Sequence, residues 1–472
     1  MSSAASPAQT IPVAATGTTL VLGSLALPML LSSLGTSIAN VGLPTLVSAF
    51  GASFQAVQWV VLAYLLAVTT LVVSVGRLGD LIGRRRLMLV GISLFTASSI
   101  ACGAATELWL LIAARAGQGL GAAVMMALSM ALVGDAVPQE RAGQTMGLLG
   151  TMSAVGTALG PSLGGLLIAA VGWRAVFLIN LPLGLIALGL AYRALPADAP
   201  HDRRTSFDLV GSGLLAGTLV AYALSMTLGK ATFGPKSIAL LVIAFLAAAL
   251  FVSMQSRVRS PLVRMSLFSD RAISAGFAMS ALVTTVAMTT LVVGPFYLSK
   301  ALGLTTATVG LVMTAGPFVA ALAGVPAGRA VDRFGSRIVM LAGLSAMSIG
   351  CLALALCPLE FGIAGYILPL VFTTAGFATF QAANNTAVVS TTPANQRGVV
   401  SGLLTLSRNL GLITGASVMG AVFVRGTHAT SVAEASPFAV ASGAHVAFGT
   451  AAALVVSALV LAVQFAKPAS RT

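Results

Sequence analysis

Two arginines stand where a cation is out of place. Arg115 lies within the apolar run Leu108–Val133, and Arg408 lies within the run Gly398–Val424. A guanidinium stays charged, so inside an apolar span it needs a partner or a wet cavity, and such a residue is a functional candidate by default. For Arg115 the competing reading is a side chain near a helix end that snorkels to the interface. The densest charge elsewhere is the loop Gly76–Arg86, in a chain that is only 8% charged. This loop returns at Gly328–Arg337: Gly76, Arg77, Asp80, Gly83 and Arg85 align without a gap on Gly328, Arg329, Asp332, Gly335 and Arg337. Its glycines permit a tight turn and close backbone approach. Asp80 can take a neighbouring arginine or cap a helix N-terminus across the two halves. A basic loop that only sets topology would account for Arg84–Arg86, but not for an acid and a glycine that recur as Asp332 and Gly335.

The elements that must carry these residues are apolar from end to end. The 472 residues are 57% hydrophobic, and the mean hydropathy is +1.00. Apolar runs long enough to cross a bilayer as helices recur fourteen times, from Thr19–Val41 to Val446–Phe465. Transmembrane strands would give short alternating segments, which are missing. No amphipathic surface is left for a soluble domain to show to water. The 50 glycines suit close helix packing in lipid.

The net charge of +14 does not mark a nucleic-acid partner, because no basic helix or aromatic-basic stripe is present. With the N-terminus in the cytoplasm and the runs alternating, the outer gaps hold Arg174, Lys230, Lys236, Lys300 and Arg425. Arg115 and Arg408 lie inside runs, and the other eighteen of the 25 basic residues fall on the cytoplasmic side. That asymmetry supports the count, and it predicts a multi-pass protein of the inner (plasma) membrane with both termini cytoplasmic. Gly76 and Gly328 are 252 residues apart, more than six runs and their loops occupy. The surplus matches two further runs, near Leu209–Leu228 and Ser237–Met254. The expected organisation is a six-helix bundle over 1–193, a linker with two inserted helices over 194–271, and a second six-helix bundle over 272–472.

Four stretches together resemble the major facilitator superfamily, and within it the fourteen-span drug:proton antiporters of the EmrB/QacA type. They are the Gly76–Arg86 loop, Arg115-Ala-Gly-Gln-Gly-Leu-Gly121, Gly156-Thr-Ala-Leu-Gly-Pro-Ser-Leu-Gly-Gly165, and Thr36-Ser-Ile-Ala-Asn-Val-Gly-Leu-Pro44. Gln58-Trp59 with Tyr64, and Gly172–Pro182, support them. The resemblance covers nearly the whole chain. It implies the major facilitator fold, all-α with two six-helix bundles and two inserted helices. It implies no cofactor, with a proton gradient as energy source. The implied partners are a small-molecule substrate, protons and the lipid bilayer, the protein working as a monomer or with a periplasmic adaptor. It assigns Arg77, Asp80, Gly83, Arg84 and Asp332 to a gating latch that favours the outward-facing state. It assigns Arg115 to proton transfer or its coupling, with Arg408 as its near counterpart. It assigns Gly156, Gly160, Pro161, Gly164 and Gly165 to the antiporter helix, a face that closes the inner cavity against proton leak. Ordinary small-residue helix packing explains the same glycines.

The polar and aromatic residues left within spans are candidates for a substrate cavity: Asn40, Gln58, Trp59, Tyr64, Gln118, Asn180, Phe296, Tyr297, Gln381, Asn384 and Asn385. An interhelical hydrogen bond is the alternative for each amide. The pattern breaks at one place. Relatives in this family commonly carry an Asp where this chain has Gly35, and none of the eleven acidic residues lies in the middle of a run. A permanent cation would lack a counter-charge, which points to neutral or anionic amphiphiles, and no acid inside a span is left to carry the proton. His201, His428 and His445 form no catalytic or metal cluster, so an enzyme is not expected.

Overall fold

The computed structural model describes residues 15–72, 74–136, 139–198, 209–227, 234–256, 269–390, 397–429, 432 and 434–465. Long helices account for nearly all of them: α1 (Ala15–Val41), α2 (Phe54–Val72), α3 (Arg84–Ala104), α4 (Leu108–Ala136), α5 (Gln139–Ala170), α6 (Asn180–Ala194), α7 (Leu209–Thr227), α8 (Pro235–Gln255), α9 (Arg271–Phe296), α10 (Thr306–Phe334), α11 (Ser336–Leu356), α12 (Gly362–Ser390), α13 (Arg397–Thr414, continuing to Gly426) and α14 (Pro437–Phe465). Thirteen helical stretches are long and apolar enough to cross a membrane, and α7 adds the shorter apolar stretch Val210–Ser225. A bilayer demands this, because only intrahelical hydrogen bonds satisfy the backbone of an isolated span.

Three runs expected to be continuous are interrupted, each for a local reason. Before α6, a single turn Ala175–Leu178 is set off from the helix. Pro182 has no N–H to give to the preceding turn, so the ladder cannot run through. A π-helical turn, Tyr297–Ala301, follows Pro295 at the end of α9. In α13 a second π-helical turn, Gly415–Met419, interrupts the ladder, and its Ala416 carbonyl accepts a hydrogen bond from α2.

The repeat read from the charged loop extends through the whole packing pattern. In the first set of six helices α1 packs on α5 and α6, and α4 and α6 pack on α3, with α2 on α4. In the last six, α9 packs on α13 and α14, and α12 and α14 pack on α11, with α10 on α12. Close backbone contacts repeat with it. A Cβ on Gly121 of α4 would stand 2.7 Å from the Gly91 carbonyl oxygen and 2.6 Å from the Phe95 nitrogen. A Cβ on Gly376 of α12 would stand 2.5 Å from the Gly343 carbonyl oxygen and 2.7 Å from the Met347 nitrogen. Gly343 and Met347 lie 252 residues beyond Gly91 and Phe95, the offset of the charged loops. The turning glycines of those loops also agree, with φ of 105° at Gly83 and 80° at Gly335, a region other residues rarely adopt.

The two sets meet through α5 on α10 and α2 on α13. The inserted pair α7 and α8 pack on each other, and α7 packs on α2 and on the π-helical turn of α13. Ser212 bonds Ser74 at 2.8 Å, and the Tyr222 hydroxyl bonds Thr414 at 3.2 Å. On α8, Phe245, Leu246 and Leu250 are exposed, as a lipid-facing helix requires.

Gly156, Gly160 and Gly164 line the face of α5 that meets α1. Cβ atoms there would collide with the Leu30 carbonyl, the Ser37 side chain and the Ile38 carbonyl. We therefore expect Gly160→Val to lower stability by about 3 kcal/mol through overpacking. Gly150→Ala, with nothing within 4 Å of the added carbon, should be neutral. Thermal melting of the purified protein in detergent checks both.

Candidate functional site

The first polar centre is built on Arg115, which is fully buried. Its Nε donates to the Val60 carbonyl of α2 at 2.8 Å, one terminal nitrogen donates to Gln118 Oε1 at 2.5 Å, and the other donates to the Gly35 carbonyl of α1 at 3.1 Å. The guanidinium carbon lies 4.2 Å from the Tyr64 ring centroid and 5.9 Å from that of Phe177. The network continues outward. Gln118 Nε2 donates to Ser99 Oγ of α3 at 2.7 Å, and the Tyr64 hydroxyl donates to the Ser32 carbonyl of α1 at 2.7 Å.

The sequence makes room for it. A Cβ at Gly35 would come within 3.1 Å of the Tyr64 hydroxyl, and one at Gly119 within 2.5 Å of the Tyr64 carbonyl. Carbonyl dipoles, one amide and two aromatic faces solvate the cation in place of a carboxylate. Tyr64 and Gln118 thus belong to a clasp across α1, α2, α3 and α4.

The charged loop is held from within its own half, by a residue the sequence reading left unassigned. The Asp198 carboxylate, just past α6, accepts from the backbone N–H of Arg85 at 2.8 Å and of Arg86 at 3.2 Å, so it caps the N-terminus of α3. It fills the space a Cβ on Gly83 would need. The Arg85 guanidinium donates to the Tyr192 carbonyl at the end of α6 at 2.6 Å and lies over the Tyr192 ring. The repeat keeps part of this: Arg337 donates to the Val463 carbonyl at the end of α14 at 3.4 Å. Asp332 is exposed, and Arg84 is half-buried. The side chains of Arg77 and Asp80 lie outside the described residues. Asp198 carried no readable signal, since it opens a polar stretch whose spacing matches no motif.

At the end of the helices opposite this loop, the halves are packed together. Gln58 Nε2 donates to the Ala416 carbonyl at 2.7 Å. The rings of Phe54 and Phe296 have centroids 4.8 Å apart, and Phe423 lies 5.7 Å from Phe54. Gly165 of α5 meets Gly310 of α10 backbone to backbone, where a Cβ on Gly165 would stand 2.9 Å from the Gly310 Cα; the Pro161 carbonyl faces Gly310 as well.

A cavity of roughly 660 Å³, open mouth included, lies beside that closure. Its wall includes Thr157 of α5, Thr290 of α9, Met313 and Pro317 of α10, and Tyr366 and Phe377 of α12. Tyr366 is buried and stacks on Tyr297, with ring centroids 5.8 Å apart. No residue of the wall carries a charge.

None of the eleven residues expected to line a cavity lines this one. Gln58 and Phe296 belong to the closure between the halves, and Trp59 packs against the buried core. Asn40 donates to the Thr36 and Ser37 carbonyls of its own helix. Asn384 donates to the Gly276 carbonyl of α9 at 3.1 Å, tying α12 to α9. Asn180 is fully buried and its amide atoms have no partner among the described residues, as is true of the Gln381 amide. Asn385 is half-buried on α12. Arg408 differs from Arg115: its side chain is exposed, on a helix that packs against α2 of the other half, and no partner is described for it. Among the described residues, no three His, Cys, Asp or Glu side chains come together as a metal site.

Two related sets of six membrane-spanning helices packed beside an uncharged cavity are the frame of a membrane transporter. The family model of the Major Facilitator Superfamily matches residues 25–296 and 273–471, and the chain belongs to that superfamily. It is 33% identical over 426 residues to the multidrug resistance protein Stp of Mycobacterium tuberculosis, covering 87% of this chain and 76% of that one. It is 28% identical over 406 residues to the riboflavin transporter RibZ of Clostridioides difficile, covering 86% of this chain and 88% of that one. A bacterial homolog of the human lysosomal transporter Spinster has the same fold, with a TM-score of 0.70 at 14% identity over 96% of this chain and 97% of that one.

Arg115→Ala strands three acceptors at a buried site and should cost roughly 3 kcal/mol or more of stability, read from the melting temperature. Arg115→Lys should recover only part, because an ammonium cannot address three directions at fork geometry. Asp198→Ala should cost about 1 kcal/mol, most of which Asp198→Asn restores.

Proposed function

We propose that this transporter is a proton-driven exporter of small amphipathic compounds, neutral or anionic rather than permanently cationic, and that it belongs with the fourteen-span EmrB/QacA-like antiporters. The observation that carries the substrate reading is the cavity wall, which has no charged residue. The distribution of acids agrees. Asp135, Glu140 and Asp332 lie within three residues of a helix end, and no acid occupies the middle of a described helix. A cation drawn into such a site would lose its hydration without gaining a counter-charge.

The positive-inside rule places the charged loops in the cytoplasm of a plasma-membrane protein. In that orientation the Gln58–Ala416 bond and the Phe54, Phe296 and Phe423 rings form the outer closure. The two halves rock about the cavity, and proton entry drives expulsion. The similarity to Stp, named for multidrug resistance, supports export. The similarity to RibZ, named a riboflavin transporter, favours a second reading, a symporter or uniporter of a metabolite.

Everted membrane vesicles decide between them. With an acid interior, they should accumulate a neutral amphipathic drug, and collapse of the pH gradient by nigericin should stop accumulation. Accumulation that survives nigericin would overturn proton coupling. Uptake by right-side-out vesicles alone would favour the importer. In a pump-deficient host the gene should protect against neutral and anionic drugs more than against cationic dyes.

A further inference from the structure

The cavity has a polarity as well as a volume, and it lies in the polar atoms rather than in any charge. Taking the cavity as the substrate site, as proposed above, its hydroxyls can be counted by what they have left to offer. A threonine hydroxyl has one proton and two lone pairs. Thr157 Oγ1 spends its proton on the Ser153 carbonyl at 3.0 Å, and Thr290 Oγ1 spends its own on the Ala287 carbonyl at 2.8 Å. Both residues line the cavity, and each can meet a ligand only as an acceptor. Thr373 likewise donates to the Pro369 carbonyl, but its oxygen is turned toward Gly350 of α11. The Tyr366 hydroxyl is likewise turned away, against Gly294 of α9, and that of Thr374 lies beside Gly316 of α10. No lining side chain is a donor alone. The remaining wall is flat or soft: the rings of Tyr366 and Phe377, and the thioethers of Met313 and Met347, which suit the face of an aromatic ring.

We propose that this cavity selects uncharged, flat aromatic molecules that carry hydrogen-bond donors, phenolic hydroxyls or ring N–H groups, over the same molecules with their donors capped. A donor on the ligand finds lone pairs already oriented by helix backbone. A capped ligand places an ether where the wall has no committed donor to meet it, and leaves the lone pairs of Thr157 and Thr290 unused. Phe377, partly exposed in the wall, supplies a ring against which a planar ligand lies. The two acceptors come from different halves, Thr157 from the first and Thr290 from the second, and the other lining residues all belong to the second.

The test uses the purified full chain in detergent, with resveratrol and its trimethyl ether as probes in equilibrium dialysis. Resveratrol should bind about tenfold more tightly than the ether to the unaltered protein. Thr157→Val and Thr290→Val should each weaken resveratrol several-fold and leave the ether unchanged, and the double variant should bind the two alike. Thr290→Ser keeps the hydroxyl and should behave as the unaltered protein, which separates loss of the lone pair from loss of the fold. The inference is overturned if resveratrol does not bind, if the ether binds the unaltered protein as tightly, or if a valine variant with unchanged melting temperature weakens both probes equally. Binding in detergent needs no gradient. Selective binding without gradient-driven accumulation would therefore sink the export reading and leave this one standing, and accumulation without donor preference would do the reverse.

Discussion

A buried guanidinium held by carbonyls and an amide, with no carboxylate beside it among the described residues, fixes the first half of this transporter. Arg115 cannot shed its charge, and it cannot reach solvent from a fully buried position. It is stable there only because α1 and α2 each turn a backbone carbonyl toward it, Gln118 closes a third side, and the Tyr64 ring covers a face. Each of those groups must be in place at once, so the angle and depth of four helices are constrained by one side chain. The cost of missing a partner is high in a medium without water. Gly35 and Gly119 are the complement of this arrangement: Gly35 leaves space for the Tyr64 hydroxyl, and Gly119 lets the α2 backbone at Tyr64 pass close to α4.

The second half repeats the frame and changes what fills it. The Gly343–Gly376 crossing reproduces the Gly91–Gly121 crossing, so α11 and α12 approach as α3 and α4 do. Where α4 carries Arg115 and Gln118, the corresponding stretch of α12 carries Pro369, Leu370 and Thr373, and a cavity is left in place of a polar plug. A duplicated scaffold therefore has a polar clasp at this level in one half and a cavity in the other. Close glycine contacts make this division possible, because backbone-to-backbone packing sets helix positions independently of the larger side chains between them.

The charged loop shows how far a pattern can be read before geometry is needed. Its recurrence, its turning glycines and the pairing of Arg85 with Arg337 were visible as spacing, and that each arginine reaches the last helix of its half was not. Its acid partner was not. Asp198 reaches the N-terminus of α3 because α6 returns beside it, over a sequence separation of 113 residues. A cap of this kind leaves no local signature, since the residue that accepts and the N–H groups that donate share no stretch of chain. The same holds for the cavity. Of the amides that looked suited to a ligand, Asn40, Gln58 and Asn384 are consumed by helix carbonyls and Gln118 by Arg115 and Ser99, while threonines, methionines and a tyrosine with no distinguishing pattern surround the open space.

Sequence alone determined that the chain crosses a membrane many times, that it is built from two related halves with a helix pair between them, and that it carries no carboxylate at mid-membrane depth. These follow from hydropathy, from the spacing of rare charges and from composition, all of which are properties of the chain read in order. Tertiary structure decided what each polar group does. Whether a buried arginine clasps helices or faces a cavity, whether a glutamine lines a site or closes a gate, and whether a threonine offers a proton or a lone pair depend on which neighbour arrives from a distant helix. In a membrane interior, where no water stands ready to satisfy what the protein leaves unpaired, that neighbour settles the chemistry.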